Sequence, residues 1–133
     1  NLIPIAMEVA SRIREKLQVF GDNYDTHDGT GVRDYIHVSD LAIAHRKALN
    51  YISENDKDLL VNLATGEGHS VLDVINKSKE VSGKDIPFDI VGRRAGDPAT
   101  VVAVSNRANK VLGWSTKYSD LDTLIRTTWD VYK

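Results

Sequence analysis

Two cationic side chains, far apart in the sequence, could together bind an anionic ligand. Arg33 opens the stretch RDYIHV, where a short strand would be expected to carry only apolar residues. Arg94 follows another arginine in a polar loop that also contains Asp97. The planar guanidinium group of arginine donates paired hydrogen bonds to phosphate oxygens. The residue types therefore suggest a site in which Arg33 and Arg94 bracket a diphosphate, with Asp97 accepting from a ribose hydroxyl.

The same residues also have a structural interpretation. Arg33 could form an ion pair with Asp34, and Arg94 could form one with Asp97, which is three residues away. Surface ion pairs of this kind are common and need no ligand. Spacing alone leaves both interpretations open.

The hydrophobic pattern predicts alternating helices and strands, which places the chain in the α/β class. The run Leu59–Ala64 is almost continuously apolar, as in a strand that is buried on both faces of a parallel sheet. Ser39 and Asp40 form a helix N-cap signal directly after the Arg33 segment. Helices are predicted to begin near Leu2, Ser39, Ser70, Ser105 and Ser119 or Asp120, and strands over 17–20, 59–64, 86–91 and 101–104.

The segment from Leu63 to Ser70 resembles a dinucleotide-binding loop, because an apolar run leads through Gly66 and Gly68 to a capped helix. The third glycine of that fingerprint is replaced by Val71, and the turn is longer than a pyrophosphate cradle requires. An ordinary strand-to-helix loop is the expected structure.

Metal-binding patterns are weak. Three aspartates precede Gly29 at every third residue, whereas a calcium loop needs alternate oxygen ligands and a glutamate at its twelfth position. A solvated turn is expected there. The four histidines have no paired spacing, so no zinc site is predicted, and His37 is expected to form structural hydrogen bonds. The residues concerned are Asp22, Asp25, Asp28, His27, His37, His45 and His69.

Composition excludes several classes of function. The chain has 133 residues, enough for one domain, with 17 Lys and Arg, 19 Asp and Glu and no cysteine. A net charge of −2 gives no basic surface for nucleic acid, and without cysteine there are no thiolate sites or disulfides. No segment has the roughly 20 apolar residues of a membrane-spanning helix. No Tyr-x-x-x-Lys pair, Gly-x-Ser-x-Gly elbow or phosphate-binding loop is present.

Several blocks together resemble one enzyme family. They are NLIP at the start, EKLQVFGDNYDTHDGTGVRDYIHVSDLA, VNLATGEGHSVLDVI, GRRAGDPATVVA and VLGW. Over almost the whole chain they resemble the C-terminal part of the UDP-glucose 4-epimerases, a branch of the extended short-chain dehydrogenases. The implied fold is their C-terminal substrate-binding lobe, with elements that pack on a Rossmann sheet lying upstream of Asn1.

The resemblance also implies a set of substrate-binding residues. Arg33 and Arg94 match the two arginines that bind the diphosphate, and Tyr35 lies in the same pocket. Asp97 matches the carboxylate on the uridine ribose. The other matched positions lie near the phosphates and sugar, along the strand whose backbone pairs with uracil, and at the position that limits hexose size; they are Asn1, Leu2, Gln18, Val19, Phe20 and Val101.

The small side chain of Val101 leads to the expectation that N-acetylhexosamine nucleotides are accepted together with hexose nucleotides. By resemblance, NAD oxidises and reduces the sugar at C4, and the residues that bind NAD and catalyse the reaction lie outside this chain. The implied enzyme is a cytoplasmic homodimer, and residues 1–133 alone are expected to be inactive.

Two further expectations concern this piece of chain. Apolar faces on the second helix and on the run from Leu59 are expected to be uncovered, so the isolated chain is expected to be marginally stable or to self-associate. The alternatives for function are a related sugar-nucleotide dehydratase or decarboxylase, and a stand-alone nucleotide-sugar-binding module without a cofactor domain.

Overall fold

The computed structural model describes residues 1–133 and has the alternating helices and strands of the α/β class. The elements are α1 (Leu2–Ala10), β1 (Leu17–Phe20), β2 (Val32–Arg33), α2 (Val38–Asn55), β3 (His69–Ser70), α3 (Val71–Ser82), β4 (Phe88–Val91), β5 (Thr100–Val101), α4 (Asn106–Leu112) and α5 (Leu121–Tyr132).

The strands form two small sheets. β1 and β4 pair in parallel, with Leu17 opposite Phe88 and Phe20 opposite Val91. In the other sheet β2 is central, antiparallel to β3 and parallel to β5. Arg33 is therefore the last residue of the central strand of one sheet, and the loop that carries Arg94 follows the end of β4 in the other.

The main hydrophobic core lies between α1, α3, α5 and strand β1. Its fully buried side chains include Met7, Ile75 and Ile125. The predicted limits of α3 are confirmed: Ser70 and Asp73 form a reciprocal capping box, and Gly83 ends the helix in the left-handed conformation. This core fixes the N-terminus of α1 and the strand β1 next to each other.

A smaller core joins α2 to α4 around Trp114, whose indole nitrogen donates to the Asp40 carbonyl oxygen at 2.9 Å. The predicted cap of α2 is wrong, because the N-cap is His37 and its Nδ1 accepts from the Ser39 amide. Asp40 is instead fully buried and accepts from the amides of Lys117 and Tyr118 and from Ser119 Oγ. The structural role predicted for His37 is confirmed, since its Nε2 also lies 2.9 Å from Thr127 Oγ1.

The strand predicted over 59–64 is wrong. Neither sheet includes these residues, and the Leu60 side chain is 81% exposed. An apolar run becomes a strand only where another strand supplies hydrogen-bonding partners, and this chain places none beside it. Val38 and Leu49 of α2 are also exposed, so apolar surface is uncovered on both elements named from the sequence.

No helix has both the length and the apolar character that crossing a bilayer requires.

Candidate functional site

A cavity of about 900 Å³ opens between the N-terminus of α1, strand β1 and the loops before β2 and β5. The residues assigned to the ligand by resemblance come from four separate segments of the sequence. All of them except Val101 line this cavity: Asn1, Leu2, Gln18, Val19, Phe20, Arg33, Tyr35, Arg94 and Asp97. The structure thus brings together a set of residues that the sequence alone leaves dispersed.

Backbone groups are available on one side of the cavity. Asn1 is the N-cap residue of α1, and its side chain forms no capping hydrogen bond. The first amides of a helix have no partner within the helix and attract anions. Strand β1 pairs with β4 on one side and with no strand on the other. The amides and carbonyls on its free edge can therefore bond to the edge of a planar heterocycle.

Arg33 is held at the cavity by backbone oxygens. Its Nη1 donates to the Val32 carbonyl at 2.8 Å, and its Nη2 lies 3.8 Å from Asp97 Oδ1. The alternative pair with Asp34 does not form. Asp34 instead accepts from the amide and hydroxyl of Thr65 and from the Gly66 amide, because successive residues of an extended chain point to opposite sides.

Arg94 has a different environment. Its guanidinium carbon lies 3.7 Å from the centroid of the Phe20 ring, in a cation–π arrangement. No hydrogen bond or ion pair joins the guanidinium to the protein, so the alternative pair with Asp97 is also absent. The N–H groups of Arg94 are therefore free to donate to an anion in the cavity.

Tyr35 supplies a neutral hydroxyl. Burial raises the pKa of Tyr35 above its usual value, although the positive charge of Arg33 acts in the opposite direction. The phenol is consequently protonated at neutral pH, and its hydroxyl forms no hydrogen bond with the protein. It can donate to or accept from a bound ligand.

Val101 lies close to these residues but does not line the cavity. It is paired with Arg33 in the β2–β5 register, and 48% of its surface is exposed. A substituent that extends from the cavity along β5 would pass over a small side chain.

Sequence reasoning missed further residues at the cavity. Arg14 and Lys16 line it, but each already has an anionic partner, Glu8 at 3.0 Å for Arg14 and Asp89 for Lys16. Tyr24 also lines it and is almost fully buried. The sequence signal that could have placed Lys16 at the cavity is its position directly before β1.

In the loop from Leu63 to Ser70, Gly68 packs closely against neighbouring side chains. A Cβ atom on Gly68 would lie 2.5 Å from Val32 Cγ1 and 2.7 Å from Val102 Cγ2. Packing against Val32 and Val102 therefore accounts for the glycine at this position. The segment leads into α3 as expected, but it does not follow a strand, because residues 59–64 form none.

The solvated turn predicted around the three aspartates is confirmed for Asp22 and Asp25, which are exposed, but not for Asp28, which is bonded to the protein. Asp28 accepts from the amide and hydroxyl of Thr30 and from Ser70 Oγ. Burial would raise the pKa of Asp28, but the Ser70 and Thr30 hydrogen bonds outweigh it and lower the pKa. His27, Asp28 and Asp73 are the one group of side chains close enough together to hold a cation. The oxygens of the two carboxylates already bond to the loop and to the α3 cap.

Comparison with known proteins gives a consistent result. The model of the family described as GDP-mannose 4,6 dehydratase matches residues 1–128. A UDP-glucose 4-epimerase of Lacticaseibacillus casei is 44% identical over 98% of this chain. The chain spans 39% of the length of that relative.

Solved structures agree with the sequence relatives. A UDP-glucose 4-epimerase from Stenotrophomonas maltophila, solved with bound NAD and formylated UDP-arabinopyranose, matches with a TM-score of 0.93 and 46% identity, over 98% of this chain and 38% of that one. A UDP-Glc/GlcNAc 4-epimerase from Campylobacter jejuni matches with a TM-score of 0.87 and 42% identity, over 97% of this chain and 39% of that one. The chain therefore belongs to the GDP-mannose 4,6 dehydratase family of extended short-chain dehydrogenases, and among its members it is similar to the UDP-glucose 4-epimerases.

Proposed function

We propose that this chain forms the nucleotide-sugar-binding part of a UDP-hexose 4-epimerase, and that the intact protein interconverts UDP-glucose and UDP-galactose. The observation that carries the proposal is the convergence of Arg33, Arg94, Tyr35 and Asp97 on one cavity. The similarity to named UDP-glucose 4-epimerases, at 43–47% identity, supports the choice of reaction.

Different cavity residues bind different parts of the nucleotide sugar. Arg94 and Arg33 neutralise the diphosphate from two sides, which suits arginine because its fork matches phosphate oxygens. The free edge of β1 bonds to uracil, and Asp97 accepts from the ribose. Asn1 and the amide of Leu2 face the phosphates and the sugar. Tyr35, as a neutral phenol, adds a hydrogen bond without adding charge.

This arrangement meets the particular demand of a 4-epimerase. The hexose has to present both faces to one hydride donor, so it cannot be gripped tightly, and the nucleotide must supply the binding energy. In the intact enzyme NAD would accept the C4 hydride and return it. We propose that an NAD-binding Rossmann domain in the rest of the intact protein holds the dinucleotide and supplies the catalytic groups.

The sugar range is part of the proposal. We infer that N-acetylhexosamine nucleotides are also substrates, because Val101 is small and lies beside Arg33 outside the cavity. The 42% identity to an enzyme named for both UDP-Glc and UDP-GlcNAc supports this inference. In the intact protein, Val101→Tyr should lower the activity on UDP-N-acetylglucosamine relative to UDP-glucose; an unchanged ratio would remove Val101 from specificity.

A dehydratase is the competing activity, since the family model carries that name. An assay of the intact protein with UDP-galactose and NAD separates the two. We expect UDP-glucose as the product, whereas a dehydratase would release a 4-keto-6-deoxy sugar nucleotide. Residues 1–133 alone should yield neither product. Turnover by this chain alone would contradict the proposed division of labour.

A further inference from the structure

Arg93 lies flat across the turn that follows β1. Its Nε donates to Asn23 Oδ1 at 2.7 Å, its Nη2 donates to the Asn23 carbonyl, and its guanidinium carbon is 3.9 Å from the centroid of the Tyr24 ring. The side chain also passes directly over Gly21, where a Cβ atom would be 2.6 Å from Arg93 Cγ. The turn is shaped to receive this arginine.

The loop that carries Arg93 has few other attachments. Residues 92–98 are all exposed, and their backbone forms only an internal turn, from the Asp97 amide to the Arg94 carbonyl. Hydrogen bonds connect this loop to another part of the chain only through Arg93, which donates to Asn23. The other ties are the stacking of Arg94 on Phe20 and the 3.8 Å approach of Asp97 to Arg33.

Both of those other ties involve groups that the ligand engages. Arg94 has to turn its N–H groups toward the diphosphate, and Asp97 has to accept from the ribose. In contrast, Arg93 is next to Arg94 in the chain but does not line the cavity. Its contacts can persist while the ligand binds, so they can fix the loop position in both states.

We propose that Arg93 is a positioning residue for Arg94: by binding Asn23 and Tyr24, it holds the 92–98 loop over the cavity and pre-organises the diphosphate clamp. This inference rests on the proposed function. Pre-organisation increases affinity because less conformational freedom is lost when the ligand binds. Arg93 itself makes no contact with the nucleotide.

The test is a double-mutant cycle on the affinity for UDP. Isothermal titration calorimetry of the intact protein measures the Kd of each variant. We expect Arg93→Ala to raise the Kd for UDP on the order of tenfold, and Arg94→Ala to raise it at least as much. In the Arg94→Ala background, the further change Arg93→Ala should alter Kd by less than about twofold, since the group that it positions is already gone.

Arg93→Lys separates position from charge. Lysine keeps the positive charge but lacks the planar fork that bonds Asn23 twice and stacks on Tyr24. We therefore expect the Kd of Arg93→Lys for UDP to lie between those of the wild type and Arg93→Ala. The control is Arg107→Ala, which removes an exposed arginine on α4 and should leave the Kd unchanged. Asn23→Ala removes the acceptor of Nε and should weaken UDP binding in the same direction, with an unchanged melting temperature.

The outcomes distinguish the two levels of the proposal. If Arg94→Ala weakens UDP binding and neither Arg93→Ala nor Asn23→Ala does, the positioning role is wrong and the proposed function stands. If Arg93→Ala costs the same factor with and without Arg94, Arg93 contacts the ligand directly and the inference fails. If Arg94→Ala leaves UDP affinity unchanged, the proposed site fails, and the role of Arg93 with it.

Discussion

Arg33 Nη2 and Asp97 Oδ1 lie 3.8 Å apart at the mouth of the cavity, although they come from segments far apart in the chain. The two charges attract each other without forming a close hydrogen bond. Each side chain is partly exposed and keeps bonding capacity for a ligand. An anionic diphosphate beside Arg33 and a hydroxyl beside Asp97 would extend this pair rather than break it.

The Asp97 carboxylate should therefore accept a hydrogen bond from a ribose hydroxyl of the nucleotide. We expect Asp97→Ala to weaken UDP binding by roughly 1.5–3 kcal/mol, the usual range for a hydrogen bond to a charged group. Wild-type protein should bind 2′-deoxy-UDP or 3′-deoxy-UDP less tightly than UDP, and this preference should vanish in Asp97→Ala. Titration calorimetry with the three nucleotides measures the effect, and a preference retained in the variant would show that another group contacts the ribose.

Asp40 should make the fold sensitive to acid. Burial would raise its pKa, but the hydrogen bonds from Ser119 Oγ and from the amides of Tyr118 and Lys117 outweigh burial and lower the pKa. A lowered pKa in the folded state means that the stabilisation is present above the unfolded value of about 3.9 and is lost as pH falls through the folded value.

Two substitutions check this effect. Asp40→Ala should lower the free energy of unfolding by roughly 2–4 kcal/mol at neutral pH, because several donors lose their acceptor. Asp40→Asn should flatten the dependence of stability on pH below about 4, a range set by the ionisation of aspartate. Urea denaturation across pH 2.5 to 7 provides the measurement. A wild-type stability that does not decline toward pH 2.5 would contradict the role of Asp40.

Ser78 presents the opposite case. Its hydroxyl is fully buried in α3 and has no hydrogen-bond partner. Removing an unsatisfied buried hydroxyl should stabilise the protein, so we expect Ser78→Ala to raise the free energy of unfolding by about 1 kcal/mol. Ser82→Ala is the matched control, since Ser82 Oγ donates to the Ser78 carbonyl and its loss should not stabilise. Destabilisation by Ser78→Ala would mean that the hydroxyl has a partner.

The exposed apolar side chains should drive association of the isolated chain. Leu49 and Leu60 are 68% and 81% exposed, and exposed apolar surface favours self-association. Sedimentation velocity of residues 1–133 should show oligomers that dissociate when both leucines are changed to lysine. Ile13→Lys, at another exposed apolar position, should have little effect. A monodisperse wild-type monomer with a sharp unfolding transition would contradict the expectation.

Local signals in the sequence were sufficient for much of the fold. The capping box at Ser70 and the glycine at 83 fixed α3, because these residues satisfy helix ends by their own chemistry. The run 59–64 misled, since a strand also needs a neighbour that composition cannot supply. The cap of α2 was misplaced because Asp40 is bonded to residues 117–119, and such long-range bonds leave no local trace.

The candidate site was predictable only in part. Resemblance identified residues that the fold brings to one cavity, but it did not indicate how they are oriented. The nearest-neighbour ion pairs suggested by spacing do not form. Arg94 stacks on Phe20, and Arg33 approaches Asp97 instead of its sequence neighbour Asp34. These contacts depend on the packing of β1 against β4 and of β2 against β5.

The most direct test of the nucleotide-binding site is the affinity of the intact protein for UDP, compared between the wild type and Arg94→Ala. Calorimetric titration should give saturable binding of UDP by the wild type and by Arg107→Ala. Arg94→Ala should bind more weakly by roughly 1.5–3 kcal/mol, the loss of a charge-assisted hydrogen bond. Equal affinity of the wild type and Arg94→Ala, or no binding of UDP by either, would contradict the assignment of this cavity to a nucleoside diphosphate.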